Sequence, residues 1–456
     1  MPYLLNFVYL LIALFLSPWL IYKTITTGKY RRGLWRKITG QALLRDDDEP
    51  CVWFHGVSVG EIHLLRQVVG AFQQKHPDWD CVISTTTDTG YIEACKRFPD
   101  LHVVYWPFDF SWAVHRAPQR VNPSLVVLAE GELWPNFLAA ARQRGVPVAV
   151  INGRLSPKSL RRFRASSWLL RPMLTSVDLF AVQTEEYADG FRQLGVPPDR
   201  VCVTGSVKYD GVETDRANPR TQELARLFAL NHRFQPDQPG NTDLVWVAGS
   251  TQHPEERIVL DIYRKLQSDF PRLRLFIVPR QKDRFHEVAR LIDQSGLSYI
   301  RRTQLPPTSN LLLTTHHSPL TTHSSTDIVL MDTIGELGAL WGLADVAFVG
   351  GSLDGKRGGQ NMIEPAAYGA AVIFGPHIWN FQDAATRLKA AGAVIQVADA
   401  ADLEKGVRRL LVNQSLRQRL GKLARQFVLG EQGATCRTID LLDQLLARRS
   451  SRDVAA

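Results

Sequence analysis

Glu61 is the first residue of this chain whose type and position could serve chemistry. It closes the segment His55–Glu61 (HGVSVGE), which follows an apolar run and precedes a segment whose apolar residues recur at helical spacing. Ser58 and Glu61 have the S-x-x-E spacing of a capping box, in which the serine accepts from a helix amide and the glutamate reaches back. The same carboxylate could instead be a general base that takes a proton from an attacking group. The pattern leaves both roles open, and capping is the commoner one.

Charged side chains also follow other apolar segments. Glu130 and Glu132 come directly after SLVVLA, Lys208 comes after VCVTGSV, and Arg280 comes after LRLFIVP. Ligands of open α/β sheets bind at the carboxyl ends of the strands, so these positions predict a binding or catalytic edge. Acidic residues there can also cap helices, and each cation can simply be solvated.

Two glycine-containing turns complete the set of candidate residues. The segment DTIGELG places Gly335 and Glu336 on a turn that enters a helix, and Gly350–Gly369 gives a glycine-rich loop followed by a helix that contains Glu364. Glycines allow backbone amides and a helix N-terminus to approach a phosphate closely. A flexible turn without a ligand explains the glycines equally well.

The elements that must position these residues alternate regularly from Cys51 onward. Short apolar runs alternate with amphipathic segments of helix length, which is typical of parallel sheets covered by helices. The strand candidates are CVWFHGV, CVIST, HVVYWPF, SLVVLAE, PVAVING, LFAVQ and VCVTGSV, then LVWVAGS, LRLFIVPR, DIVLMD, VAFVGGS and AVIFGP. We predict two Rossmann-like domains, over residues 50–214 and 244–445, joined by a linker over 215–243, with a ligand cleft between them.

Composition narrows the class of protein. With 456 residues, 45% of them hydrophobic and 22% charged, the chain can bury two cores and is not a disordered protein. The formal net charge of +9 suits a nucleic acid, an anionic membrane surface or a phosphorylated substrate. Five cysteines without a CxxC pair indicate a reducing compartment and no cysteine metal site. The histidines of the Ser/Thr-rich segment, His316, His317 and His323, are not predicted to bind a metal.

The N-terminal residues 1–24 are predicted to attach the chain to a membrane. Tyr3–Tyr22 is almost wholly apolar and as a helix would reach about 30 Å, enough to span a bilayer core. Basic residues follow it: Lys23, Lys29, Arg31, Arg32, Arg36 and Lys37. Such a cluster stays on the cytoplasmic side, whereas a signal peptide would need a basic start and a cleavage site. Asn6 and Pro18 leave open a helix that lies in the membrane interface.

Six segments together resemble one known family. HGVSVGE, AEGELWPN, GSVKYD, VPRxxxRF, DTIGEL and GGQNMIEPAAYG, in this order, resemble the 3-deoxy-D-manno-octulosonic acid (Kdo) transferases of lipopolysaccharide synthesis, from about Tyr22 to about Leu445. The resemblance implies a GT-B fold of two Rossmann-like domains, the first binding the acceptor and the second the CMP-sugar. It also implies inverting transfer of Kdo from CMP-Kdo to a lipid A precursor, at the cytoplasmic face of the inner membrane. Neither nucleic acid nor a cofactor is expected as a partner.

The resemblance also assigns roles to individual residues. It implies that Glu61 is the base and that Glu130 and Lys208 support the transition state. The residues that it implies for CMP binding are Pro279, Arg280, Ile334, Gly335, Glu336, Asn361, Met362, Ile363 and Glu364. CMP carries a single phosphate, so a metal that bridges two phosphates is not required, and Lys208 and Arg280 can supply positive charge near the leaving group.

Three departures from the family pattern concern the donor site. Gln252, Gln281 and Gln360 stand where histidine is usual in the family. Glutamine donates and accepts hydrogen bonds but cannot become cationic, so anion contacts at these positions should be weaker. A GT-B lipid glycosyltransferase that uses a UDP-sugar and a non-catalytic membrane-bound nucleotide sensor remain alternatives.

Overall fold

The chain folds into two compact units, as seen in a computed structural model that describes residues 2–27, 33–42, 44–45, 49–230, 243–306 and 328–454. The first unit comprises Met1–Gly211 and Glu431–Ala456, and the second comprises Val212–Gly430. Several residues discussed above lie outside the described part: Lys29, Arg31, Arg32, His316, His317 and His323.

The first unit is a parallel sheet covered by helices. Its described strands are β1 (Cys51–His55), β2 (Asp80–Thr85), β3 (His102–Tyr105), β4 (Leu125–Ala129), β5 (Val148–Gly153), β6 (Leu179–Val182) and β7 (Val201–Val203). Its described helices before β7 are α1 (Pro2–Thr27), α2 (Leu34–Thr39), α3 (Val59–Lys75), α4 (Asp88–Arg97), α5 (Ser111–Val121), α6 (Pro135–Gln143), α7 (Pro157–Ala165), α8 (Ser167–Leu174) and α9 (Glu185–Gln193). The strand order is β3-β2-β1-β4-β5-β6-β7, so β1, β4 and β5 lie side by side.

The apolar runs form strands because both faces of this sheet are buried. In β1, Cys51 and Trp53 pack into the core on one face, whereas Val52 and Phe54 pack into the core on the other. Alternate side chains of a strand point to opposite faces, so a central parallel strand needs a continuous apolar run. The polar residues are thereby displaced to the strand ends, where the candidate site residues lie.

The second unit repeats this architecture. Its described strands are β8 (Leu244–Thr251), β9 (Leu273–Pro279), β10 (Tyr299–Arg301), β11 (Ile328–Leu330), β12 (Val346–Val349), β13 (Ala371–Phe374) and β14 (Val394–Gln396), in the order β10-β11-β9-β8-β12-β13-β14. Its described helices are α10 (Pro219–Leu227), α11 (Glu255–Leu266), α12 (Phe285–Ser295), α13 (Leu337–Leu340), α14 (Ile363–Ala367), α15 (Gln382–Ala390), α16 (Ala400–Val412) and α17 (Gln414–Glu431). All of the predicted strands are present, and the structure adds β10 and β14.

The last helix, α18 (Ala434–Val454), belongs to the first unit, whereas the predicted second domain extended to residue 445. The amides of Gly433 and Thr435 both donate to the carboxylate of Asp210, which caps the start of α18. The guanidinium of Arg437 donates to the carbonyl of Thr204, at 2.8 Å. Apolar residues of α18, including Leu442, complete the core beside β1.

Two further boundaries concern the linker and the anchor. Within the predicted linker 215–243, helix α10 packs into the second unit, and the hydroxyl of Thr221 donates to the carbonyl of Ala339; residues 231–242 lie outside the described part. Helix α1 is continuous over Pro2–Thr27. Of the helices described, however, none combines the length and the apolarity that crossing a membrane requires, so a spanning anchor is not confirmed.

Candidate active site

Glu61 lies at the carboxyl edge of β1, in the first turn of α3. The hydroxyl of Ser58 accepts from the amide of Glu61 at 3.4 Å and donates to its carboxylate at 3.2 Å. The other carboxylate oxygen accepts from the amide of Val57 at 2.6 Å. The predicted cap at Ser58 is confirmed, but the glutamate reaches back to the residue before the N-cap, where its carboxyl group is oriented by two hydrogen bonds.

The surroundings of Glu61 favour its neutral form. Burial raises the pKa of its carboxyl group, and the negative charges of Glu130 and Glu132 raise it further. The hydrogen bonds from Val57 and Ser58 oppose this shift only in part. A carboxylate with a raised pKa is a better proton acceptor near neutral pH than an ordinary glutamate, which is the property that a general base needs.

Glu130 lies one strand away, directly after β4, and holds a strained backbone conformation. Its φ angle is +58°, in the left-handed region that residues other than glycine, asparagine and aspartate seldom adopt. Its side chain makes three polar contacts. One carboxylate oxygen lies 3.1 Å from the Nζ atom of Lys208 and accepts from the amide of Asn152 at 3.1 Å; the other lies 3.2 Å from the guanidinium of Arg154. Strain of this kind persists only where surrounding contacts impose it.

Asn152 connects these residues and was not predicted. It is fully buried at the end of β5, also with a left-handed backbone, at φ +52°. Its side-chain oxygen accepts from the hydroxyl of Ser206 at 3.3 Å and from the amide of Val207 at 3.2 Å, while its amide nitrogen donates to Glu130. Asn152 therefore fixes the turn that carries Lys208 against the end of β4. The structure brings together the three predicted catalytic residues of this unit, Glu61, Glu130 and Lys208.

A second group lies at the carboxyl edge of the other sheet. Pro279 ends β9, and the next residue, Arg280, donates through its Nε atom to the side-chain oxygen of Gln360 at 3.2 Å. Asn361 donates to the carboxylate of Glu364 at 3.0 Å and accepts from the amide of Ile363 at 3.0 Å. Since Arg280 also acts electrostatically on Glu364, the structure groups these predicted donor-site residues.

Glu364 is the half-buried acidic member of this group. Burial raises the pKa of its carboxyl group, whereas hydrogen bonds with Asn361 and Trp341 and the charge of Arg280 act in the opposite direction. Next to it, Met362 and Ile363 are buried and support the loop from inside. A carboxylate held in this way can accept hydrogen bonds from vicinal hydroxyl groups, while the exposed Arg280 can meet an anion.

The loop after β12 is shaped by a glutamate that sequence reasoning missed. The buried carboxylate of Glu255 accepts four backbone hydrogen bonds, from Gln252, Gly351, Ser352 and Leu353, at 2.7 to 3.1 Å. A side chain at Gly350 would lie 2.7 Å from the backbone of β8. The Q-x-x-E spacing of Gln252 and Glu255 at the start of α11 was the only local signal for this contact.

Ile334, Gly335 and Glu336 follow β11, at the same edge of the sheet. Ile334 is 65% exposed, and Gly335 has a φ angle of +95° with open space beside it. The carboxylate of Glu336 accepts from the Nε atom of Arg302 at 3.0 Å and from the hydroxyl of Thr333. The carboxylate is therefore engaged within its own loop, and Gly335 is the part of the segment that leaves space for a ligand.

The three glutamines occupy different environments. Gln360 accepts from Arg280, a contact that a protonated histidine could not make because both groups would be cations. The side-chain oxygen of Gln252 is buried without a hydrogen-bond partner among the described residues. Gln281 is exposed. No cluster of three potential metal ligands is found among the residues that the structure describes.

The two parallel-sheet α/β units resemble those of GT-B glycosyltransferases. Acinetobacter baumannii MurG is 14% identical with a TM-score of 0.53 over 87% of this chain and 99% of that one. UDP-GlcNAc 2-epimerase from Neisseria meningitidis is 13% identical with a TM-score of 0.55 over 86% of this chain and all of that one. These likenesses define the fold class.

Sequence comparison then identifies the family. Residues 29–211 match the family described as 3-deoxy-D-manno-octulosonic-acid transferase (kdotransferase). The 3-deoxy-D-manno-octulosonic acid transferase of Haemophilus influenzae is 33% identical over 87% of this chain and 87% of its own length, and that of Bordetella pertussis is 34% identical with the same coverage. The chain belongs to the Kdo transferase family.

Proposed function

We propose that this enzyme transfers Kdo from CMP-Kdo to a lipid A precursor, with inversion at the anomeric carbon and with Glu61 as general base. The observation that carries the mechanism is the pair of contacts that orient the Glu61 carboxylate, from Val57 and Ser58, in surroundings that raise its pKa. Family membership supports Kdo as the transferred sugar and lipopolysaccharide synthesis as the pathway.

The reaction is a single displacement. The acceptor hydroxyl oxygen forms a bond to the anomeric carbon of Kdo as the bond from that carbon to the CMP phosphate oxygen breaks. The hydroxyl proton passes to Glu61, and the electron pair of the broken bond leaves with CMP. Glu61 has to be ionised to take this proton, so the neighbouring negative charges must not raise its pKa too far. The pairing of Glu130 with Lys208 and Arg154 limits that effect, because the cations partly neutralise Glu130.

The second unit would hold the donor. Arg280 is exposed at the end of β9 and can bind the CMP phosphate through charge-assisted hydrogen bonds. Glu364, oriented by Asn361, can accept from the ribose hydroxyls. Glu255 fixes the start of the glycine-rich loop beside them by accepting from the amides of Gly351 and Ser352. This division assigns nucleotide affinity to the second unit and proton transfer to the first.

Attachment to the inner membrane, with both units on the cytoplasmic face, forms part of this proposal. Helix α1 exposes large apolar side chains, such as Leu14 at 71% and Phe15 at 85%. A helix of this kind can lie in the headgroup region with its apolar side chains in the acyl layer. The arginines Arg161, Arg162 and Arg171 of α7 and α8 are also exposed and can meet phosphates of the acceptor or of anionic lipid.

The test is mass spectrometry of the product made by the purified full-length protein from CMP-Kdo and a tetraacylated lipid A precursor. The expected result is a product heavier by one or more Kdo residues, with release of CMP. Competition by CMP and by UDP in the same assay separates this proposal from a transferase that uses a UDP-sugar. Absence of product together with tight nucleotide binding would instead favour a nucleotide sensor.

A further inference from the structure

Asp109 joins three elements of the first unit at one buried carboxylate. It lies between β3 and α5 and is 6% exposed. One carboxylate oxygen accepts from the amide of Phe137 at 2.9 Å, and the other accepts from the amide of Asn136 at 3.1 Å. The second oxygen also accepts from the hydroxyl of Tyr9, on α1, at 3.0 Å. The N-terminal helix is therefore bonded to the same carboxylate that caps α6.

Helix α6 depends on this carboxylate because its own sequence offers no cap. Its N-cap residue is Trp134, which makes no side-chain capping bond, and Pro135 at the first position has no amide hydrogen. The next two amides, of Asn136 and Phe137, are those that Asp109 binds. A negative charge at a helix N-terminus also interacts favourably with the helix dipole.

A second contact joins α1 to the same region. Asn6 is 7% exposed; its side chain accepts from the amide of Ser111 at 2.9 Å and donates to the hydroxyl of Ser111 at 2.6 Å. Ser111 begins α5, which also lacks a side-chain cap of its own. Asn6 and Tyr9 are three residues apart and so lie on one face of α1. This face binds the starts of two helices, whereas Leu14 and Phe15 remain exposed.

The start of α6 is also the end of the loop that carries Glu130 and Glu132. Residues 130–134 connect β4 to α6, and at the strand end the loop holds Glu130 in its left-handed conformation. Capping by Asp109 fixes the other end. The carboxylates of this loop act on the pKa of Glu61, so a shift of α6 would change both the position of Glu130 and the proton affinity of Glu61.

We propose that Tyr9 and Asn6 of helix α1, acting through Asp109 and Ser111, are positioning residues for the Glu130–Glu132 loop. In this view α1 supports the reaction centre directly, in addition to attaching the protein to the membrane. The inference rests on the proposed roles of Glu61 and Glu130 in Kdo transfer.

The test compares Tyr9→Phe with Tyr22→Phe in the full-length protein. Both changes remove one tyrosine hydroxyl from α1, but Tyr22 is 65% exposed whereas Tyr9 bonds to Asp109. With detergent-dispersed acceptor, so that membrane attachment is not limiting, Tyr9→Phe should lower kcat about tenfold with an unchanged KM for CMP-Kdo. Hydrogen exchange at the amides of residues 130–137 should become several-fold faster. Tyr22→Phe should behave as wild type in both measurements.

The two measurements separate this inference from the proposed function. If exchange accelerates but kcat stays within about twofold of the control variant, the contact is only structural and the inference is overturned. The inference is also overturned if hydrogen exchange at residues 130–137 does not change in Tyr9→Phe, or if Tyr9→Phe and Tyr22→Phe lose activity equally. Failure of the wild-type protein to transfer Kdo would overturn the proposed function, whereas the exchange measurement would still report whether Tyr9 fixes the loop.

Discussion

Lys208 and Glu130 form an ion pair of 3.1 Å although the strands that precede them, β7 and β4, are separated in the sheet by β5 and β6. The pair is possible because Asn152, at the end of β5, binds both Glu130 and the turn that carries Lys208. The Lys208 side chain is 34% exposed, so it retains access to solvent or to a ligand. Lys208 can therefore turn from Glu130 toward a negative charge that develops in the transition state.

Lys208→Ala should lower kcat by about 10²-fold, the usual effect of removing one transition-state donor, because the first unit would lose this charge. Stability should change by less than about 1 kcal/mol, since the ion pair is partly exposed. Arg154→Ala is the matched control, because Arg154 pairs with the other oxygen of Glu130 and is 43% exposed. Steady-state kinetics and thermal melts of the two variants provide the comparison. A larger loss of kcat in Arg154→Ala than in Lys208→Ala would contradict the role assigned to Lys208.

The acid limb of the pH–rate profile should report Glu61. Its pKa is raised, chiefly by burial and also by Glu130 and Glu132, so activity should fall as pH decreases through that pKa, where the protonated carboxyl group can no longer accept a proton. Glu132→Gln removes one of the neighbouring negative charges, and the acid limb should therefore move to lower pH. Glu186→Gln changes an exposed glutamate and serves as the control. The acid limb of its pH–rate profile should not move. A shift to higher pH in Glu132→Gln would refute Glu61 as the titrating base.

Arg280→Ala should weaken CMP binding at least several-fold, because a charge-assisted hydrogen bond to a phosphate contributes about 1.5 to 3 kcal/mol. Lys282→Ala removes an exposed cation two residues further along the same segment and should leave CMP affinity near that of wild type. Isothermal titration of CMP into each purified variant measures the difference. Equal affinities in the two variants would place the phosphate elsewhere.

The strands could be predicted where they carry a continuous apolar run, which burial on both faces demands inside a sheet and which the edge strands β3 and β7 also have. Strands β10 and β14 were missed since each has three residues at the edge of its sheet, where one neighbour is absent and charged or polar residues such as Arg301 and Gln396 are tolerated. Helix α18 was assigned to the second domain because chain order alone does not show that Asp210 caps it.

The site was predictable in so far as it depends on local spacing or on family motifs. The cap at Ser58 follows from neighbouring residues, and the motif residues Arg280 and Glu364 are at the edge where parallel strands end. Asn152, Asp109 and Glu255 were not predicted, because each acts through backbone groups that only the folded chain brings near. Polar residues that organise loops in this way have no fixed sequence spacing to their partners.

Glu61→Gln and Ser58→Ala together separate the two roles of the HGVSVGE segment. Ser58→Ala removes the hydroxyl that accepts from the amide of Glu61 and donates to its carboxylate, so it should lower the free energy of unfolding by about 1 kcal/mol. The transfer rate should fall far less than in Glu61→Gln, because the bond from Val57 still orients the carboxylate. Glu61→Gln keeps a side-chain oxygen that can accept from Val57, but an amide cannot take a proton, so the transfer rate should fall by about 10²- to 10⁴-fold.

The stability of Glu61→Gln follows from the sign of the pKa shift. Because the pKa of Glu61 is raised in the folded protein, its favourable contribution is complete below the unfolded pKa and is lost as pH rises through the folded pKa. At neutral pH the carboxylate therefore adds no stability through its charge, and the variant should melt within a few degrees of wild type and bind CMP normally. Thermal melts, CMP titration and product mass spectrometry measure these three properties. Near-normal transfer by Glu61→Gln would show that Glu61 only caps the helix. Glu130 and Glu132 would then be the candidates for the base.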